Sequence, residues 1–121
     1  MKIAKVMLIS LLVLGLAVAF SFAAGDAAKG KAMFSDPKFA GGSKACSECH
    51  PNGKGLEKAG EKKEFRVMGG TQKSLEEAVN ACIVGANKGK ALDVKSPQMQ
   101  DVVAYIKSLK GGTGKKPAAG Y

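Results

Sequence analysis

Hydrophobic and polar positions divide this chain into a leading apolar run, three helical segments and a long interruption without periodicity. Lys2 and Lys5 precede a run from Val6 to Phe22 that is apolar apart mainly from Ser10 and Gly15, and Ser21-Phe22-Ala23 closes it with small residues. That order of basic head, apolar stretch and small-residue end predicts a secretory leader over residues 1–23, cleaved after Ala23 or Ala24. As a membrane span the run falls short of the ~20 residues a bilayer core demands. The first cysteine is Cys46, so no lipid-bearing cysteine follows the leader. The mature chain is expected in the periplasm or outside the cell, without stable membrane insertion.

Asp26 to Phe34 reads as a short helix, with Asp26 as N-cap and Gly30, Met33 and Phe34 on one side, stopped by Asp36-Pro37. Ser74 to Ala86 carries Leu75, Ala78, Val79, Cys82 and Ala86 at helical spacing, and Ser74 with Glu77 forms a capping-box pattern. Ser96 to Leu109 has Ser96 as N-cap, Pro97 at the first helical position, and an apolar face of Met99, Val102, Val103, Ile106 and Leu109. Between the first two helices, Gly41 to about Thr71 reads mostly as loop, punctuated by Gly41-Gly42, Pro51-Asn52-Gly53, Gly55, Gly60 and Gly69-Gly70. Residues 111–121 read as a flexible tail. No alternating run suggests a sheet, so one all-α domain of three to five helices is expected over residues 24–110.

Composition makes that domain short of core. Removing 23 of 121 residues leaves a small chain, and stretches such as Gly53 to Glu64 are rich in glycine and lysine. Domains of this size often need a metal, disulfide or cofactor to complete the interior. The net charge of +9 at pH 7 stays strongly basic after Lys2 and Lys5 leave with the leader. Its carriers are lysines, with Arg66 the single mature arginine, and aromatics are few. Such a surface lacks the arginine forks and stacking platforms of nucleic-acid readers, so no nucleic-acid partner is expected. It suits a solvated face, or steering towards redox proteins with acidic docking surfaces.

The interruption contains Cys46-Ser47-Glu48-Cys49-His50, a C-x-x-C-H motif for covalent attachment of haem c. Two sulfurs three residues apart reach the two vinyl-derived carbons on one side of a porphyrin, and the next residue swings an imidazole under the iron. Other chemistries fit parts of the motif. Zinc wants four ligands, whereas only Cys46, Cys49, His50 and Cys82 offer preferred donors, two of them adjacent. A thioredoxin-like pair wants a βαβ setting, and a plain Cys46–Cys49 disulfide leaves the histidine without a role. The leader, the single histidine and the thin core favour one covalent haem, with Cys46 and Cys49 binding it and His50 as proximal iron ligand.

Gly30 and Phe34, the Cys46–His50 motif and a last helix reading Val102-Val103-Ala104-Tyr105-Ile106 resemble class I cytochromes c over about residues 26–110. The resemblance implies an all-α fold around one haem, with the first and last helices crossing where Gly30 and Phe34 meet Tyr105. Class I cytochromes usually supply a distal methionine from the loop before the last helix, but Asn87 to Lys95 contains none. Cys82 is the first candidate in its place: its spacing from His50, within Val79-Asn80-Ala81-Cys82-Ile83, resembles that in SoxA-type haem domains, where a cysteine sulfur binds iron. Met99 and then Met68 follow, with Met33, a lysine or an open site behind them. A thioether ligand raises the haem potential and a thiolate lowers it. Small buried hydrophobes and core methionines are the ordinary roles of the same residues.

These readings imply a monomeric electron carrier rather than an enzyme, since no acid/base pair accompanies the motif. A haem subunit of a thiosulfate- or sulfur-oxidising complex, using Cys82, and a small-gas sensor with an open iron site are the alternatives.

Overall fold

The computed structural model describes residues 25–110; the leader and tail expected at 1–23 and 111–121 lie outside the described residues. Helix α1 spans Ala27–Phe34, α2 Cys46–Cys49, α3 Leu75–Gly85 and α4 Pro97–Ser108. Single 3₁₀ turns occur at Phe39–Gly41, Pro51–Gly53 and Ala59–Glu61, and strands β1 (Phe65–Val67) and β2 (Gly70–Gln72) form a hairpin.

Side chains at the helix starts satisfy the backbone donors that a helix leaves open. The Asp26 carboxylate accepts from the N–H groups of Ala28 and Lys29 at 2.9 and 3.1 Å. Ser74 Oγ accepts from Glu77 N at 3.2 Å, and Ser96 Oγ from Met99 N at 3.3 Å. The Glu77 carboxylate reaches one residue further back than a capping box requires, accepting from Lys73 N at 2.9 Å.

Packing centres on the crossing of α1 and α4. Gly30 removes the side chain that would separate them: a Cβ there would sit 1.9 Å from the Asp101 carbonyl oxygen and 2.9 Å from Tyr105 Cβ. One turn on, Phe34 meets Tyr105 edge to face, with ring centroids 5.1 Å apart. The amide of Asp26 donates to Asp101 Oδ1 at 2.7 Å and ties the start of α1 to the same helix. Phe34, Ile83, Met99 and Val102 are the largest fully enclosed side chains. Among the described residues no helix is long and apolar enough to cross a membrane.

Two local departures from the sequence reading have clear causes. The stretch read as loop contains α2, 3₁₀ turns and the hairpin, whose strands pair Phe65 with Gln72, Arg66 with Thr71 and Val67 with Gly70. Strands of three residues are too short to show alternation; Met68 and Gly69, both at positive φ, make the tight turn, and Phe65 is buried in the core. On α3, the buried residues are Leu75, Ala78, Val79 and Ile83. Ile83 is fully enclosed, so the apolar stripe turns towards it, and Cys82 and Ala86 lie half-buried at its edge.

Candidate functional site

Cys46 and Cys49 occupy the two ends of α2, one helical turn apart and therefore on one face. Glu48 fixes the start of this turn by accepting from Ala45 N at 2.6 Å, and His50 N donates to the Cys46 carbonyl at 3.0 Å. His50 then leaves the helix with φ −125° and ψ 69°, which turns the chain out of the α2 course. Its Nδ1 lies 3.0 Å from the Lys54 carbonyl oxygen. A carbonyl only accepts, so Nδ1 carries a proton, and in the neutral ring the lone pair is on Nε2. The Pro51–Gly53 turn places that carbonyl, with Gly53 N donating to His50 O at 2.8 Å.

The motif thus presents two thiols and one directed imidazole nitrogen. Cys46 is half-buried and Cys49 exposed, and neither is in a disulfide. Burial pushes the Cys46 thiol above its ordinary pKa, against a lowering hydrogen bond from Asn87; Cys49 adds a smaller upward push. Cys82 is also free and half-buried. Its pKa is raised by burial first and, less, by the charges of Cys46 and Cys49.

The other expected distal residues are placed differently. Met99 is fully enclosed in the core at the start of α4. Met68 is 58% exposed at the hairpin turn, its side chain lying across Gly85 on α3. Met33 is half-buried at the margin of the core. The loop from Ala86 to Ser96 is held at several points: Asn80 Nδ2 donates to Leu92 O and its Oδ1 accepts from Leu92 N, both at 2.8 Å. Gly89 N donates to Ile83 O at 2.8 Å, and Lys90 N to Ala40 O at 2.9 Å. This anchored loop carries no sulfur ligand.

Asn87 was not singled out by the sequence. Among the described residues it is the buried polar side chain, 5% exposed, and its Nδ2 lies 3.4 Å from Cys46 Sγ. Its position after a helix-ending segment reads as an ordinary C-terminal asparagine, so only tertiary contact reveals it.

Among the described residues no three His, Cys, Asp or Glu side chains converge as a site for a bare metal ion. A shallow hollow of about 310 Å³ at the hairpin, lined by Arg66, Gly69, Gly70 and Thr71, contains none of the thiols. Comparison with protein-family models, curated proteins and solved structures finds no match to this chain.

Proposed function

We propose that the chain is an exported monohaem c-type cytochrome that carries single electrons between redox partners. The observation carrying this reading is the commitment of His50 Nδ1 to the Lys54 carbonyl beside two free thiols on one helical face. That donor set fits haem c: Cys46 and Cys49 would hold it as thioethers, and His50 Nε2 would be the proximal iron ligand. Half-buried Leu56, Val67, Leu92 and Leu109, packed at the core margin, are apolar surface suited to its faces. The bound group supplies one-electron redox chemistry at iron.

The protein's own contribution is rigidity and exclusion of water. The Lys54 carbonyl keeps the imidazole in one tautomer and orientation, which limits rearrangement when the iron changes charge. Cys82 would be the distal ligand in this reading, because Asn87 bonds both the Cys82 carbonyl and Cys46 Sγ and so holds this end of α3 beside the motif, while Met99 is sealed in the core and Met68 is largely in solvent. A bound iron would keep the Cys82 sulfur deprotonated despite its burial. The lysine surface steers acidic redox partners, so electron exchange with such a partner slows as salt rises; a rate independent of ionic strength would remove steering from the proposal.

The deciding measurement is the mass and absorption spectrum of exported, matured protein in both redox states. The expected result is one haem per chain, resistant to extraction by acid and organic solvent, with low-spin bands and a thiolate–iron signature in the oxidised form. A colourless protein with the mass of the bare chain refutes the proposal. Cys82→Ser is expected to abolish the thiolate signature and raise the potential. The same position of Cys82 favours a second reading, a haem subunit for sulfur oxidation; turnover of thiosulfate with an added partner chain, lost in Cys82→Ser, would select it.

A further inference from the structure

Asn87 joins the end of α3 to the segment around Ser43 and Cys46, 41 positions away at Cys46. Its backbone N–H donates to the Cys82 carbonyl at 3.0 Å, at the end of α3. Its backbone carbonyl accepts from Ser43 N at 2.8 Å, in the segment that leads into the motif. Its side-chain amide donates to Cys46 Sγ at 3.4 Å, across 41 positions of sequence. The residue is buried, so these bonds are not in competition with bulk water, and loss of any one strands a buried polar group. Among the described residues Cys49 has no such partner, and it is exposed.

We propose that Asn87 is a positioning residue for thioether formation: its amide fixes the rotamer of Cys46, so that the half-buried sulfur is aimed before it reacts. This rests on the haem c reading. A thiol rotates about χ1 among three staggered wells, and a directional N–H···S contact selects among them. In the attachment step the Cys46 S–H adds across a porphyrin vinyl group. The S–C bond forms, the C=C π bond is consumed, and hydrogen ends on the neighbouring carbon, with no net change of oxidation state. Cys49, exposed and without a comparable contact, reaches its vinyl carbon without this guide. The same residue holds the Cys82 end of α3 against the motif, so the attachment side and the proposed distal sulfur share one anchor.

The test compares Asn87→Asp, Asn87→Leu and Asn87→Gln with wild type after export and haem maturation. Asp keeps the shape and the backbone bonds but has no amide donor; Leu removes the polar head; Gln retains an amide. Single and double thioethers have the same mass, so attachment is read by free-thiol alkylation at each cysteine and by the α-band of the pyridine adduct, which separates one thioether from two. The expected result is a rise of roughly fivefold in unreacted Cys46 for Asp and Leu, the weight of one hydrogen bond, with Cys49 fully attached and Gln closer to wild type. Circular dichroism identifies folded variants; should Leu fail to fold, Asp answers the question. A purely structural role would lower attachment at Cys46 and Cys49 together, and that outcome overturns the proposal. So does wild-type attachment in both Asp and Leu. Wild-type protein that takes up no haem overturns the underlying haem reading instead, and the proposal with it.

Discussion

Replacing Gly30 by alanine tests whether the α1–α4 crossing holds the domain together. A Cβ at this position would lie 1.9 Å from the Asp101 carbonyl oxygen, 2.5 Å from its carbonyl carbon and 2.9 Å from Tyr105 Cβ. Contacts below 3.0 Å are essentially never made by real Cβ atoms, so the oxygen must retreat by at least about 1.1 Å. Two of the three obstacles are backbone, which no side-chain rotation clears. Overpacking of this kind costs about 1–3 kcal/mol. The parting helices also weaken the Phe34–Tyr105 contact, worth about 0.5–1.5 kcal/mol. Alanine recovers about 1 kcal/mol through its better helix propensity. The net expectation is a destabilisation of about 1–3 kcal/mol, read as a fall in Tm of about 4–8 °C per kcal/mol for a domain this small. Thermal and denaturant unfolding of matured Gly30→Ala, beside Lys29→Ala at an exposed position of the same helix, gives the comparison. If Gly30→Ala were as stable as Lys29→Ala, the close crossing would not be carrying the fold.

Asn80→Ala leaves both backbone groups of Leu92 without their partner and should cost about 2–3 kcal/mol, with faster hydrogen exchange at the Leu92 amide; unchanged exchange would show that the loop is held elsewhere. Gly85→Ala would bring a Cβ within 2.6 Å of Met68 Cε, a movable side-chain end, so stability should change by less than about 1 kcal/mol while the Met68 methyl resonance shifts. An unmoved resonance would contradict the Met68–Gly85 contact. Burial raises the Tyr105 hydroxyl above its ordinary pKa, so the native state favours the neutral phenol. Its contribution is complete below the unfolded-state value and is lost as pH rises through the folded one, so alkaline denaturation of wild type should be steeper than that of Tyr105→Phe. Identical alkaline profiles would show that this hydroxyl is not desolvated.

Much of this protein is written locally. Ser74 and Ser96 cap the helices they precede, Pro97 opens the last one, and Gly30 and Phe34 meet Tyr105 at the crossing of α1 and α4. Caps and apolar periodicity involve residues three or four apart, so their effects are visible along a single strand of text. The C-x-x-C-H spacing is equally local, because two thiols and an imidazole within five consecutive residues need only one helical turn to come together.

What required the folded chain involves partners distant in sequence. The rotation of the α3 stripe to Ile83 and the edge position of Cys82 depend on what packs against that helix, which periodicity does not specify. The separate fates of Met99, enclosed, and Met68, exposed, follow from where the last helix and the hairpin lie in space. Asn87 looks like any polar residue after a helix until Ser43, Cys46 and the Cys82 carbonyl gather around it. A buried polar group gains its importance from partners that desolvation makes indispensable, and burial is a property of the whole fold rather than of neighbours along the chain.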